Sequence, residues 1–308
     1  MSYGSVTAEG SPRIVDRVGL RQLPVGIESF EDVLRRFTYV DKTLAVADLV
    51  NRGGVTLYCR PRRFGKSTFL RMLQCFFEAP VEGYVPDRRG LFDDLAISDA
   101  DPRYMHDCGT HPVIYLELAS CAMQTFEDTR DAIALQLSGE FSRHDYVYDS
   151  LRRGEVARFD RALAGEMRPA ELASSLGWLS SLLERYHESQ TVILIDEYDA
   201  PVTAAHLCGY REEMVGFYRS WLTGAFKGTT SLYCAALTGV LRVSRESIFS
   251  GLNNIRIDTT LDEDHAEAIG FTECRHNVAR CRQRVSLAPL DGFLQVPFMP
   301  TCWIYWLQ

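Results

Sequence analysis

The feature that most constrains this chain is an unbroken apolar run, Thr191-Val192-Ile193-Leu194-Ile195, that stops abruptly at the carboxylate pair Asp196-Glu197. A run without polar alternation leaves no face for water, so it predicts a strand covered on both sides, the pattern of a central strand in a parallel sheet. Parallel neighbours need long crossovers, and the chain supplies them. Val55 to Cys59, Val113 to Leu118 and Leu232 to Leu237 read as further strands. Between them stand helical patterns: Phe69, Leu70, Met72, Leu73, Phe76 and Phe77 from a start near Lys66 to a stop before Pro80, a helical region through Phe141, then Leu172, Leu176, Leu179, Leu183 and Tyr186, and finally Met214, Phe217, Tyr218, Trp221, Leu222 and Ala225. The alternation predicts right-handed crossovers and an α/β fold, a three-layer α/β/α sandwich with a mostly parallel central sheet. The charged stretch 143–169 reads as a helical insertion on the rim of the sheet.

Charge and cysteine usage narrow the function classes. The 308 residues carry 33 basic and 41 acidic side chains, a net charge of −8, which argues against broad phosphate neutralisation on a nucleic acid. A local basic site stays open. Nine scattered cysteines with no C-x-x-C pair fit reduced, mostly buried thiols. His106-Asp107-Cys108-Gly109-Thr110-His111 carries zinc donors, but no second ligand pair stands at finger-like spacing, and a polar loop is the reading adopted. No signal-peptide core and no membrane-length apolar run are seen, so the cytoplasm is the expected location.

The chemistry gathers at the ends of the predicted strands. Arg60-Pro61-Arg62-Arg63-Phe64-Gly65-Lys66-Ser67-Thr68 joins the first strand to its helix and carries the Gly-Lys-Ser end of a phosphate-binding loop. There Lys66 would reach the phosphate oxygens and the Ser67 hydroxyl would ligate Mg²⁺. Arg60 stands where the first glycine of such a loop is expected. Asp196, at the end of the central strand, can hold Mg²⁺, and Glu197 can orient or deprotonate a water; carboxylates at such positions also serve as helix caps. Asp199, ahead of Ala200-Pro201, reads as a helix N-cap. In Leu237-Thr238-Gly239-Val240-Leu241-Arg242, Thr238 suits a sensor of the γ-phosphate or water. Arg242 suits either a transition-state cation or a surface ion pair. Both main motifs fall at carboxyl ends of parallel strands, where open α/β sheets bind ligands.

These residues carry a resemblance. Leu23-Pro24-Val25-Gly26-Ile27 with Tyr39-Val40-Asp41-Lys42-Thr43, the Arg60 to Ser67 loop, Leu194 to Pro201, Leu237 to Arg242 and Phe249 to Asn254 together resemble the bacterial predicted AAA-ATPase-like family over Leu23 to Glu273. The resemblance implies a P-loop NTPase-type sandwich and an ATP site at Arg60 to Thr68 (Walker A) with Asp196 and Glu197 (Walker B), with Val25-Gly26 near the adenine. Family loops also read Arg-Pro-Arg-Arg-Phe-Gly-Lys, so the missing glycine is a family trait.

The resemblance also sets the expected boundaries: a leader over 1–22, the ATPase-like domain over 23–273, and an atypical tail over 274–308. That tail holds four arginines and one aspartate, against a net −11 before it, and lacks the paired acids and lysine of a nuclease centre. It reads as a frameshifted or abnormal end in place of the family's usual helical and nuclease-like continuation. The other reading is a genuine short tail whose Trp303, Ile304, Tyr305, Trp306 and Leu307 pack on the domain or a partner. The first functional expectation is Mg²⁺-dependent ATP hydrolysis, and the second a nucleotide-gated binding or signalling module with little turnover. A phosphotransferase is disfavoured by Glu197 beside Asp196. A protein partner stays open, and so does the oligomeric state.

Overall fold

The computed structural model describes residues 14–15, 24, 26–27, 29–240, 248–249, 255–259 and 269. In chain order its elements are β1 (Ile14–Val15), α1 (Phe30–Arg36), β2 (Tyr39–Val40), α2 (Leu44–Arg52), β3 (Gly54–Cys59), α3 (Lys66–Phe77) and α4 (Pro102–Met105). Next come β4 (Val113–Glu117), α5 (Phe126–Arg143), α6 (Val156–Leu163), α7 (Pro169–Ala173) and α8 (Ser175–His187). The series ends with β5 (Thr191–Asp196), α9 (Ala200–Cys208), α10 (Arg211–Phe226), β6 (Leu232–Gly239) and β7 (Ile255–Asp258).

The main sheet has the order β4-β5-β6-β3-β7 and every pairing in it is parallel. The apolar run that opened the argument is thus an interior strand, buried along its whole length. Its residues alternate between two cores, as a pleated strand requires. Ile193 and Ile195 join Leu57, Leu116 and Leu237 against α5, α8 and α10, where Leu137, Leu179 and Trp221 pack. Val192 and Leu194 join Tyr58, Tyr115 and Ala236 against α1, α2 and α3, where Phe30, Leu49 and Leu73 pack. The molecule is therefore an α/β/α sandwich of the P-loop NTPase type, as expected.

Helix α3 shows why the periodicity was legible. Every apolar residue that defines its predicted face is buried, and Phe76 and Phe77 are fully so. Each such aromatic stabilises the fold by about 2 to 3 kcal/mol through burial. The helix stops where Glu78 turns extended, two residues before Pro80. The 143–169 region is less peripheral than its charge suggests. Phe159 of α6 is buried and meets Phe141 edge-on at 5.3 Å, so the insertion shares the α5/α8 core.

Three differences from the sequence reading stand out. A fifth strand, β7, flanks β3. Ile14–Val15, inside the stretch expected as leader, pairs antiparallel with Tyr39–Val40. The single helix read from Leu172 to Tyr186 is broken at Ser174 into α7 and α8. Among the described residues no helix is long and apolar enough to cross a membrane. Arg242, the segment 250–254 and the tail from 274 lie outside the described residues.

Candidate functional site

Strand pleating assembles the site before any side-chain bond forms. Even-numbered residues of β5 and β6 face α3, and in the register Ile195 stands opposite Leu237 while Tyr58 stands opposite Thr238. Asp196 and Thr238 consequently leave the sheet as neighbours on the face where α3 begins. The Thr238 hydroxyl donates to Asp196 Oδ1, and the Glu197 N–H donates to the same oxygen at 3.0 Å. Both Asp196 and Thr238 are buried, so these bonds replace water that a carboxylate would otherwise need. The neighbouring backbone is tied in as well, with Leu118 N–H on Asp196 O and Tyr198 N–H on Thr238 O. Glu197 holds a left-handed φ of 49°, an uncommon state for a non-glycine residue that turns the chain sharply out of β5.

The loop between β3 and α3 has two left-handed residues, Arg63 (φ 66°) and Gly65 (φ 82°). Glycine adopts that conformation freely, whereas arginine pays about 1 to 2 kcal/mol for it. Gly65 occupies the N-cap position of α3 without a capping side chain, and the first turn contains no acid. The helix N-terminus is therefore left with its N–H groups and positive dipole end available to an anion. Phe64 packs against the α3-side core and anchors the loop, while Arg62, Arg63 and Ser67 are exposed.

Lys66 is buried, and its Nζ donates to Pro61 O at 3.2 Å, across the loop that it would share with phosphates. Burial pushes its ammonium pKa down, and the carboxylates of Glu197, Asp196 and Asp199 oppose that, while Arg62 adds to it. The electrostatics of one lysine thus register all three acids from the far side of β6. This convergence could not be read from sequence spacing.

Two residues have side-chain partners that the sequence did not indicate. Arg60 was read as part of the phosphate loop, but its guanidinium is fully buried and bonds Asp258 Oδ1 at 2.5 Å and Asp258 O at 2.9 Å. Its side chain fastens β7 to β3. Asp199 occupies the N-cap position of α9, yet its side chain makes no cap bond and accepts the Val240 N–H at 3.0 Å instead. It thereby holds the exit of β6. Gly239 makes this possible: a Cβ there would sit 2.6 Å from Asp199 Oδ1 and from Tyr198 Cε1. Asp258 and Tyr198 were missed by the sequence reading; the alternation Ile255-Arg256-Ile257-Asp258 was the available signal for the first.

The donor set suits a hard divalent cation. Asp196 offers a carboxylate, Ser67 a hydroxyl in the first turn of α3, and Mg²⁺ commonly takes only one or two protein oxygens, with phosphates and water completing its shell. Among the described residues no three His, Cys, Asp or Glu side chains gather into a metal cage.

Comparison with known proteins adds the family. The profile of the AAA-ATPase-like family, described as predicted AAA-ATPase, matches residues 24–249. The chain is also 28% identical over 264 residues to an uncharacterized protein in the vnfD 5′ region of Azotobacter chroococcum mcd 1. That match covers 82% of this chain and 43% of the relative, so the chain spans less than half of that protein's length.

Proposed function

The chain belongs to the predicted AAA-ATPase family, and on that premise we propose that it binds ATP with Mg²⁺ and hydrolyses it to ADP and phosphate. The observation that carries the proposal is the convergence of Glu197, Asp196 and Asp199 on Lys66 at the uncapped start of α3. In this reading the loop between β3 and α3 cradles the phosphates with the backbone N–H groups of residues 62–68, and Lys66 exchanges its Pro61 carbonyl for phosphate oxygens. Ser67 and Asp196 would hold Mg²⁺, which supplies charge neutralisation to the phosphates when bound. Glu197, at the edge of the site, takes the proton of the attacking water. Thr238, hydrogen-bonded to Asp196, senses whether that carboxylate is engaged. Arg242 follows β6 in the sequence and is assigned the transition-state cation.

Phosphate release by the wild type, Lys66→Ala and Glu197→Gln tests the mechanism. Lys66→Ala should weaken nucleotide binding, and Glu197→Gln should retain binding while turnover falls by roughly 100-fold or more. Turnover unaffected by Glu197→Gln would refute the hydrolytic assignment. Tight ATP binding without turnover in the wild type would select the alternative, a nucleotide-gated module.

A further inference from the structure

Asp199 stands at the N-cap position of α9, where an aspartate ordinarily accepts an N–H from the first turn of its own helix. It makes no such bond, and Pro201 removes one of the two N–H groups that a cap of this kind uses. Its buried carboxylate is turned toward β6 instead, where Oδ2 accepts the Val240 N–H at 3.0 Å. We propose that Asp199 is a positioning residue for Mg²⁺ and nucleotide: by holding the exit of β6 it keeps Thr238, and through Thr238 the Asp196 carboxylate, aimed at the cation. This role rests on the nucleotide reading above and adds a residue to it.

The path from Asp199 to Asp196 is short, and each link is a bond or a close contact. Three consecutive residues at the end of β6 are tied down. The Thr238 hydroxyl donates to Asp196 Oδ1, and the Thr238 carbonyl accepts the Tyr198 N–H at 2.9 Å. The Gly239 carbonyl accepts the Arg60 N–H at 3.0 Å, which brings in the strand that leads to the phosphate loop. Val240 is held by Asp199. Gly239 lies between these ties, with no room for a Cβ against Asp199 Oδ1 and the Tyr198 ring. A displacement of Val240 therefore passes to Gly239 and Thr238, because close-packed groups transmit strain.

The turn that carries Asp199 is itself fastened to the opposite core. The Tyr198 carbonyl accepts the Tyr218 hydroxyl at 3.1 Å, and the Tyr198 ring packs against Phe249 with centroids 5.8 Å apart. The charge of Asp199 also reaches Lys66, where it opposes the effect of burial. Bond and charge are separable by substitution: asparagine keeps the acceptor oxygen without the charge, and alanine loses both.

Binding of N-methylanthraniloyl-ATP to the full chain as a function of Mg²⁺, measured alongside phosphate release from ATP, tests the proposal. Asp199→Ala should raise half-maximal Mg²⁺ roughly tenfold and lower kcat by a similar factor, the size expected for one lost buried hydrogen bond. Asp199→Asn should restore most of both. Asp199→Ser, which suits an N-cap but whose oxygen stops one bond short of Val240, should match alanine and carries the test if the alanine variant does not fold by circular dichroism. An Mg²⁺ dependence unchanged in Asp199→Ala and Asp199→Ser would overturn the assignment, and so would an Asp199→Asn variant as defective as they are, since charge and not the bond would then matter. Wild-type binding without phosphate release would remove hydrolysis only, with the Mg²⁺ shift still deciding the role of Asp199. Absence of saturable binding by the wild type would overturn both readings.

Discussion

Thr238 orients, through one hydroxyl, a carboxylate to which the proposed chemistry is assigned. It donates to the oxygen of Asp196 that also receives the Glu197 N–H, so it sets the direction of the carboxylate proposed to hold Mg²⁺. Thr238→Val keeps the shape and removes the donor, leaving a buried carboxylate oxygen one bond short at a cost of about 1 to 3 kcal/mol. Phosphate release should fall, and half-maximal Mg²⁺ should rise, because the displaced carboxylate binds the cation less well. An Mg²⁺ dependence identical to wild type would mean that the bond is structural only. Gly239 is constrained more severely, since its missing Cβ makes the space for Tyr198 and Asp199. Gly239→Ala should lower the melting temperature, with about 1 to 3 kcal/mol lost to overpacking.

At the scale of elements, β7 is fastened by Asp258, which pairs with the buried Arg60 and also with Arg52. Arg60 from the start of the loop and Asp258 from the end of β7 are both almost fully buried, and the pair bridges an edge strand to the strand that leads into the phosphate loop. Asp258→Ala would leave a guanidinium buried beside fewer acceptors, costing about 3 to 5 kcal/mol. Arg60→Met with Asp258→Leu should recover much of that in urea unfolding. If the single and double variants were equally unstable, the pair would not be the fastening. The same strand shows where sequence reading runs out. Strands β3, β4, β5 and β6 announced themselves as apolar runs because both of their faces are covered. Strand β7 lies at the edge of the sheet among the described residues and is four residues long, with Arg256 exposed, so its pattern barely rises above that of a loop. The candidate motifs at 60–68 and 196–197 were legible because each is contiguous along the chain. The roles of Arg60 and Asp199 were hidden because their partners, Asp258 and Val240, are set by strand order and not by proximity in sequence.

The whole molecule separates two kinds of polar burial at the two ends of its sheet. The carboxyl ends carry acids that converge on one lysine, an arrangement suited to a ligand. The amino end of β4 carries a network satisfied within the protein: Glu140 accepts the Tyr115 N–H at 3.1 Å and pairs with Arg143, while His144 contacts the Val113 carbonyl at 3.0 Å. Burial alone would raise the Glu140 carboxyl, but Arg143 and His144 outweigh it and hold it down to about 2. In the unfolded chain the same group titrates near its ordinary 4.5. Between these values the unfolded state binds the extra proton, so stability from Glu140 is fully present above about pH 5 and is lost as the pH falls toward 2. A depression of that size corresponds to roughly 3 kcal/mol at neutral pH. His144 adds in the same direction at higher pH: burial, with Arg143 close by, pushes its pKa below 6.5, so the unfolded chain takes up that proton first as well. Urea unfolding at a series of pH values should therefore show stability declining from about pH 6.5 downward and more steeply below 5. Glu140→Gln should start from a lower plateau and decline less between pH 5 and 3. Parallel curves for the two proteins would show that acid sensitivity resides elsewhere than in Glu140.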